Sequence, residues 1–93
     1  MKRMELIANH SVEKEIIKGL EAKIDDFYYT LISNVHGRGK KAYRMGTSTW
    51  PEENFIIISY LNENDTALAE ELVKEVKLRF PDEGIKLFFS NEG

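Results

Sequence analysis

Asn54-Phe55-Ile56-Ile57-Ile58-Ser59-Tyr60-Leu61 (NFIIISYL) is followed by Asn62-Glu63-Asn64-Asp65, and this junction decides the fold. The octet is a strand with apolar residues on both faces. Phe55, Ile57 and Leu61 point one way, and Ile56, Ile58 and Tyr60 the other. The four residues after it carry turn and cap chemistry. Beyond them Leu68, Ala69, Leu72, Val73, Val76 and Phe80 recur at helical spacing, predicting an amphipathic helix over roughly 65–80. Pro81-Asp82-Glu83-Gly84 stops it, and Ile85 to Ser90 (IKLFFS) reads as a short last strand.

The N-terminal half repeats this order. Arg3 to Asn9 (RMELIAN) alternates and reads as a strand. Ser11 is a suitable N-cap for a helix over 11–24, whose stripe is Val12, Ile16, Ile17, Leu20 and Ile24. Gly19 lies inside that helix, at a cost of about 1 kcal/mol against Ala, and marks close packing. Asp25-Asp26 breaks the pattern. Phe27 to His36 (FYYTLISNVH) is rich in aromatic and β-branched residues and reads as a strand. The whole is β-α-β-β-α-β. That is the α+β, ferredoxin-like arrangement, an antiparallel four-stranded sheet with two helices on one face. Residues 1–93 are expected to form a single domain.

Two helices cover one face of such a sheet. Ile7, Tyr28, Ile32, Ile56, Ile58, Tyr60 and Phe88 oppose the residues beside them, so large apolar groups remain on the other face whichever face the helices take. A contiguous apolar patch predicts an oligomer packed sheet face to sheet face.

Composition narrows the function. With 93 residues, 42% hydrophobic and 31% charged, the chain reads as an ordinary globular domain. It has no apolar run near ~18 residues, so no membrane insertion is expected. Met1 to Glu5 runs straight into the first strand without the apolar core of a signal peptide, which makes the cytoplasm the expected location. The absence of cysteine excludes disulfides, thiol catalysis and Cys-ligated metal. The net charge of -3 argues against general nucleic-acid binding.

Against that acidic balance, Val35-His36-Gly37-Arg38-Gly39-Lys40-Lys41 to Arg44 carries glycines at alternate positions and then basic residues. It is closed by Trp50-Pro51, and no acidic residue comes before Glu52. A glycine-spaced basic loop at a strand end can bring backbone N–H groups and cations to a phosphate or nucleotide. The plainer reading is a solvated hairpin loop that needs Gly for its turns. Glu70-Glu71 and Lys74-Glu75 read as solvated helix face with i,i+4 support.

The order of elements and this loop together resemble the PII signalling superfamily, in its short T-loop type. The strand–helix–strand that ends in Val35-x-Gly37-x-Gly39-basic resembles the segment that leads into the T-loop and lines the nucleotide cleft between subunits. The short loop closed by Trp50 resembles the shortened T-loop. Asp82-Glu83-Gly84-Ile85-Lys86-Leu87-Phe88 resembles the B-loop and the start of the last core strand. The resemblance implies a homotrimer with no catalytic residues, ligand-binding at Gly37, Arg38, Gly39, Lys40, Lys41, Gly84 and Lys86, and ATP, ADP or AMP as effector; Arg44 of the same basic loop would add charge to that site. It also implies a protein partner, a transporter or an enzyme, addressed through the 37–53 loop. The chain departs from the family's Gly-Asp-Gly-Lys B-loop, since Ile85 follows Gly84 and Lys86 is one place late. Tyr43 has no secure match to the tyrosine that is modified in longer loops, and the family's C-terminal arginines are absent.

Other classes fit less well. An acylphosphatase-type enzyme wants a phosphate loop with an arginine directly after the first strand; here that loop reads Ala8-Asn9-His10-Ser11, and Arg3 is placed ahead of the strand. An RNA-binding sheet could stack bases on Tyr28, Tyr60 and Phe88, but the third strand lacks the basic-Gly-aromatic run. The alternative kept open is a metal-binding sensor or metal-tolerance trimer of the same fold. Its ligands would be His10 and His36, each at a strand end.

Overall fold

The computed structural model describes residues 1–37 and 52–91. Strands β1 (Lys2–Asn9), β2 (Thr30–Gly37), β3 (Glu52–Leu61) and β4 (Ile85–Asn91) form one antiparallel sheet in the order β2-β3-β1-β4. Helices α1 (Glu13–Lys23) and α2 (Glu63–Arg79) follow β1 and β3. This is the expected ferredoxin-like arrangement.

Alternation along the central strands sets the layers. Met4, Leu6 and Ala8 of β1 and Phe55, Ile57 and Leu61 of β3 are buried, together with Val12, Ile16, Leu20 and Ile24 of the first helical segment and Ala69, Leu72, Val73 and Val76 of α2. The core therefore fills the space between one sheet face and the two helices. Ser59 sits in the same buried row, and its hydroxyl donates to the Tyr28 carbonyl at 2.7 Å. That bond satisfies a polar group that would otherwise cost stability.

The two helix starts differ. Asn62 caps α2, its side-chain oxygen accepting from the Asp65 N–H at 2.8 Å, so this helix begins two residues before the periodicity predicts. Ser11 does not cap α1. Asn9 instead accepts the Ser11 N–H at 3.0 Å, His10–Val12 form a 3-10 turn, and the α-helix proper begins at Glu13. Phe27 to Tyr29 is not part of the ladder as expected. There the Phe27 and Tyr29 rings stack at 5.0 Å over the edge of the core.

Gly19 is where α1 and α2 approach. A Cβ there would overlap Leu72 Cδ2 and lie 3.0 Å from its Cγ, and Leu72 is itself buried. Gly19→Ala is expected to destabilise the fold by about 1–2 kcal/mol, because overpacking outweighs the better helix propensity of Ala. Urea unfolding checks this: a midpoint raised above that of the parent would mean that the helices can part without cost. Around this contact, Lys23 lies 3.3 Å from both Glu71 and Glu75, and Arg79 reaches Glu15 at 3.3 Å. The bonds to Glu71 and then Glu75 hold the Lys23 ammonium above its ordinary pKa. These exposed pairs orient the helices more than they stabilise them.

Candidate functional site

The sheet has an open face, and register maps it row by row. Ile32, Ile56, Ile7 and Lys86 lie side by side across β2, β3, β1 and β4; Thr30, Ile58, Glu5 and Phe88 form the next row; Tyr60, Arg3 and Ser90 form the third. Ile32 is 41%, Tyr60 45% and Phe88 52% exposed, which makes this a contiguous apolar surface rather than scattered single residues. The sequence expectation of large apolar groups on both faces is met.

One polar cluster interrupts that surface. Arg3 lies within β1, not ahead of it, and Glu5 follows on the same face. Arg3 Nη2 donates to Glu5 Oε1 at 2.9 Å and its Nε to the same oxygen at 3.2 Å; Nη1 donates to the Tyr60 hydroxyl at 3.0 Å. The guanidinium carbon is 5.9 Å from the Tyr60 ring centre. The bonds to Glu5 and then Tyr60 hold the arginine above its ordinary pKa. Sequence reading missed this cluster, although residues i and i+2 of a strand share a face.

Two of the expected site residues, Gly37 and Gly84, lie at one end of the sheet. Gly37 closes the β2–β3 ladder opposite Glu52. Gly84 precedes β4, and its carbonyl accepts the Asn9 N–H at 3.1 Å at the end of β1. Both glycines therefore sit at the same end, but on opposite edges. Three strand spacings, about 14 Å, separate β2 from β4. One copy of the chain does not bring Gly37 and Gly84 together. Among the described residues, a Cβ on Gly84 would meet nothing within 4 Å. Lys86 is exposed, paired with Ile7, and stands on the open face rather than in the turn. Arg38, Gly39, Lys40, Lys41 and Arg44, with Tyr43 and Trp50, lie outside the described residues.

The histidines are at this end as well. His10 Nδ1 is 3.5 Å from Glu13 Oε1, and His36 pairs across the ladder with Glu53. Among the described residues, no group of three or more His, Asp or Glu side chains converges as a metal site would require. Among the same residues, no helix is long and apolar enough to cross a membrane.

No family model matches the chain, and no curated protein matches it by sequence. Solved structures do. CPII, a nitrogen regulatory PII-like protein from Thiomonas intermedia K12, bound to ADP, AMP and bicarbonate, superposes with a TM-score of 0.67 at 19% identity, over 96% of this chain and 86% of that one. Its apo form gives 0.65 at 16% identity, over 96% and 85%. The designed protein Foldit4 gives 0.57 at 10% identity over 100% of both chains, so the frame itself carries no function. At these identities the likeness is one of architecture, and the chain has the fold of the PII-like nitrogen regulatory proteins.

Proposed function

We propose that the chain is a PII-like regulatory protein rather than an enzyme. Three copies assemble through their open sheet faces. An anionic small molecule, an adenine nucleotide such as ADP, AMP or ATP, binds between neighbouring copies. One copy supplies the Gly37 end of its loop with Arg38, Gly39, Lys40, Lys41 and Arg44, and the next supplies the turn at Gly84 with Lys86. Binding changes the surface that the 37–53 loop offers to a partner protein, a transporter or an enzyme.

The observation that carries this reading is the position of Gly37, at the end of β2, and of the turn at Gly84, at one end of the sheet and on opposite edges. Such a site is incomplete in one chain and is completed by a neighbour. The nucleotides bound by CPII, which shares the architecture, support the choice of ligand class.

Thermal shift with ATP, ADP, AMP, phosphate and divalent metals, read beside the mass from light scattering, tests it. A nucleotide at about 100 times its dissociation constant should stabilise by about 2.7 kcal/mol. Gly39→Val is expected to remove that shift and leave the trimer intact, because a side chain there blocks close approach of the backbone to phosphate. A trimer indifferent to every nucleotide, but shifted by a metal, would replace this reading with the metal-sensor alternative and its His10 and His36. A monomer at all concentrations would end both.

A further inference from the structure

The pairing of β2 with β3 slips once. Ile32 pairs with Ile56 and Val35 with Asn54, so β2 takes three steps where β3 takes two. The additional residue falls at Ser33-Asn34, and Asn34 has φ 57, in the left-handed region. One extra residue in a strand is a β-bulge, and it reverses the alternation of every residue after it.

The consequence lies at the candidate site. Ahead of the bulge, Thr30 and Ile32 share the open face with Ile58 and Ile56. An uninterrupted strand would next present Asn34 and His36 on that face and turn Val35 and Gly37 toward the helix side. With the bulge, Val35 pairs with Asn54 and Gly37 with Glu52, in phase with Ile56 on the open face. His36 pairs with Glu53, in phase with the buried Phe55. Asn is among the few residues besides Gly that adopt a left-handed backbone readily, whereas a β-branched residue resists it.

We infer that Asn34 is a positioning residue: its left-handed bulge sets the phase in which the chain leaves the sheet, and so turns Val35 and Gly37 to the open face where a neighbouring copy completes the cleft. This rests on the reading that the site forms between copies. The phase itself can be read without any ligand.

Because the chain has no cysteine, introduced pairs report register directly through a short thiol-bridging reagent such as dibromobimane. The parent should bridge the pair Val35→Cys with Asn54→Cys. Asn34→Gly, which keeps a left-handed residue, should bridge the same pair. Deleting Asn34 removes the bulge but leaves Val35 opposite Asn54, so it too should bridge that pair. Asn34→Val should flatten the bulge, lose this bridge and gain one between Val35→Cys and Glu53→Cys. With ADP as probe in calorimetry, without the cysteine pairs, Asn34→Gly and the deletion should stay within a few-fold of the parent. Asn34→Val should bind at least tenfold more weakly. An Asn34→Val chain that keeps the 35/54 bridge would overturn the role of Asn34. One that shifts to 35/53 yet binds ADP like the parent would overturn the link to the site. If Asn34→Val fails to fold, a deletion variant that bridges 35/54 but has lost ADP would do the same. A parent that binds no ADP would remove the ligand reading, while the bridges still decide the phase.

Discussion

Ile58→Asp is expected to leave each chain folded and to dissociate the proposed assembly. Ile58 lies on the open face between Thr30 of β2 and Glu5 of β1. It is half-buried in the single chain, so a carboxylate there still reaches water and the fold tolerates it. Packed against another copy, the same carboxylate would be dry, unpaired and next to Glu5. Burying an unpaired charge costs several kcal/mol after relaxation, and a like charge directly opposite adds to that. Repeated at each copy, this exceeds what the surrounding isoleucines recover. Light scattering should then give the mass of a single chain, with the far-ultraviolet circular dichroism of the parent. A variant that keeps the parent's mass would show that the open face is not the interface.

The open face was legible because strand alternation has a period of two and cannot hide. NFIIISYL places three large residues on each side, and two helices cover one side only. The helices were legible from their stripes, Val12 to Ile24 and Leu68 to Phe80. Their starts were not, because a cap depends on which side chain wins a given N–H. Asn9 takes the Ser11 N–H and thereby moves the start of α1 to Glu13. Nor was the bulge legible. Ser33-Asn34 sits in a run of strand formers, without the glycine that usually announces a left-handed residue.

The sequence displays the residue types of the candidate site but not their placement. Alternate glycines followed by Arg38, Lys40, Lys41 and Arg44 are the residue types that an anion-binding loop would use, and a solvated hairpin loop would use the same glycines. Where Gly37 stands relative to Gly84 follows from the arrangement of the sheet, which puts them on opposite edges. Local spacing holds no record of that separation. Lys86 illustrates the limit: adjacency to Gly84 in the chain suggests the turn, yet the pleat sends it to the open face beside Ile7.

Glu5→Ala should weaken the assembly far more than it weakens the single chain. The Arg3 and Glu5 side chains are 36% and 43% exposed, so the pair contributes little to the fold of one copy. In the proposed assembly water would be excluded here, and the guanidinium would depend on Glu5 Oε1 and the Tyr60 hydroxyl for its bonds. Removing the carboxylate would then leave a desolvated cation without its partner. The dissociation constant should rise by roughly two decades or more. Sedimentation at falling protein concentration measures it. Replacing both partners, Arg3→Met with Glu5→Leu, removes the cation along with its partner and should restore association to the parent's level or above. The pair thus separates a dry interface from a wet surface. If Glu5→Ala and the double variant both dissociate like the parent, the cluster stays in water, and the open face does not close over it.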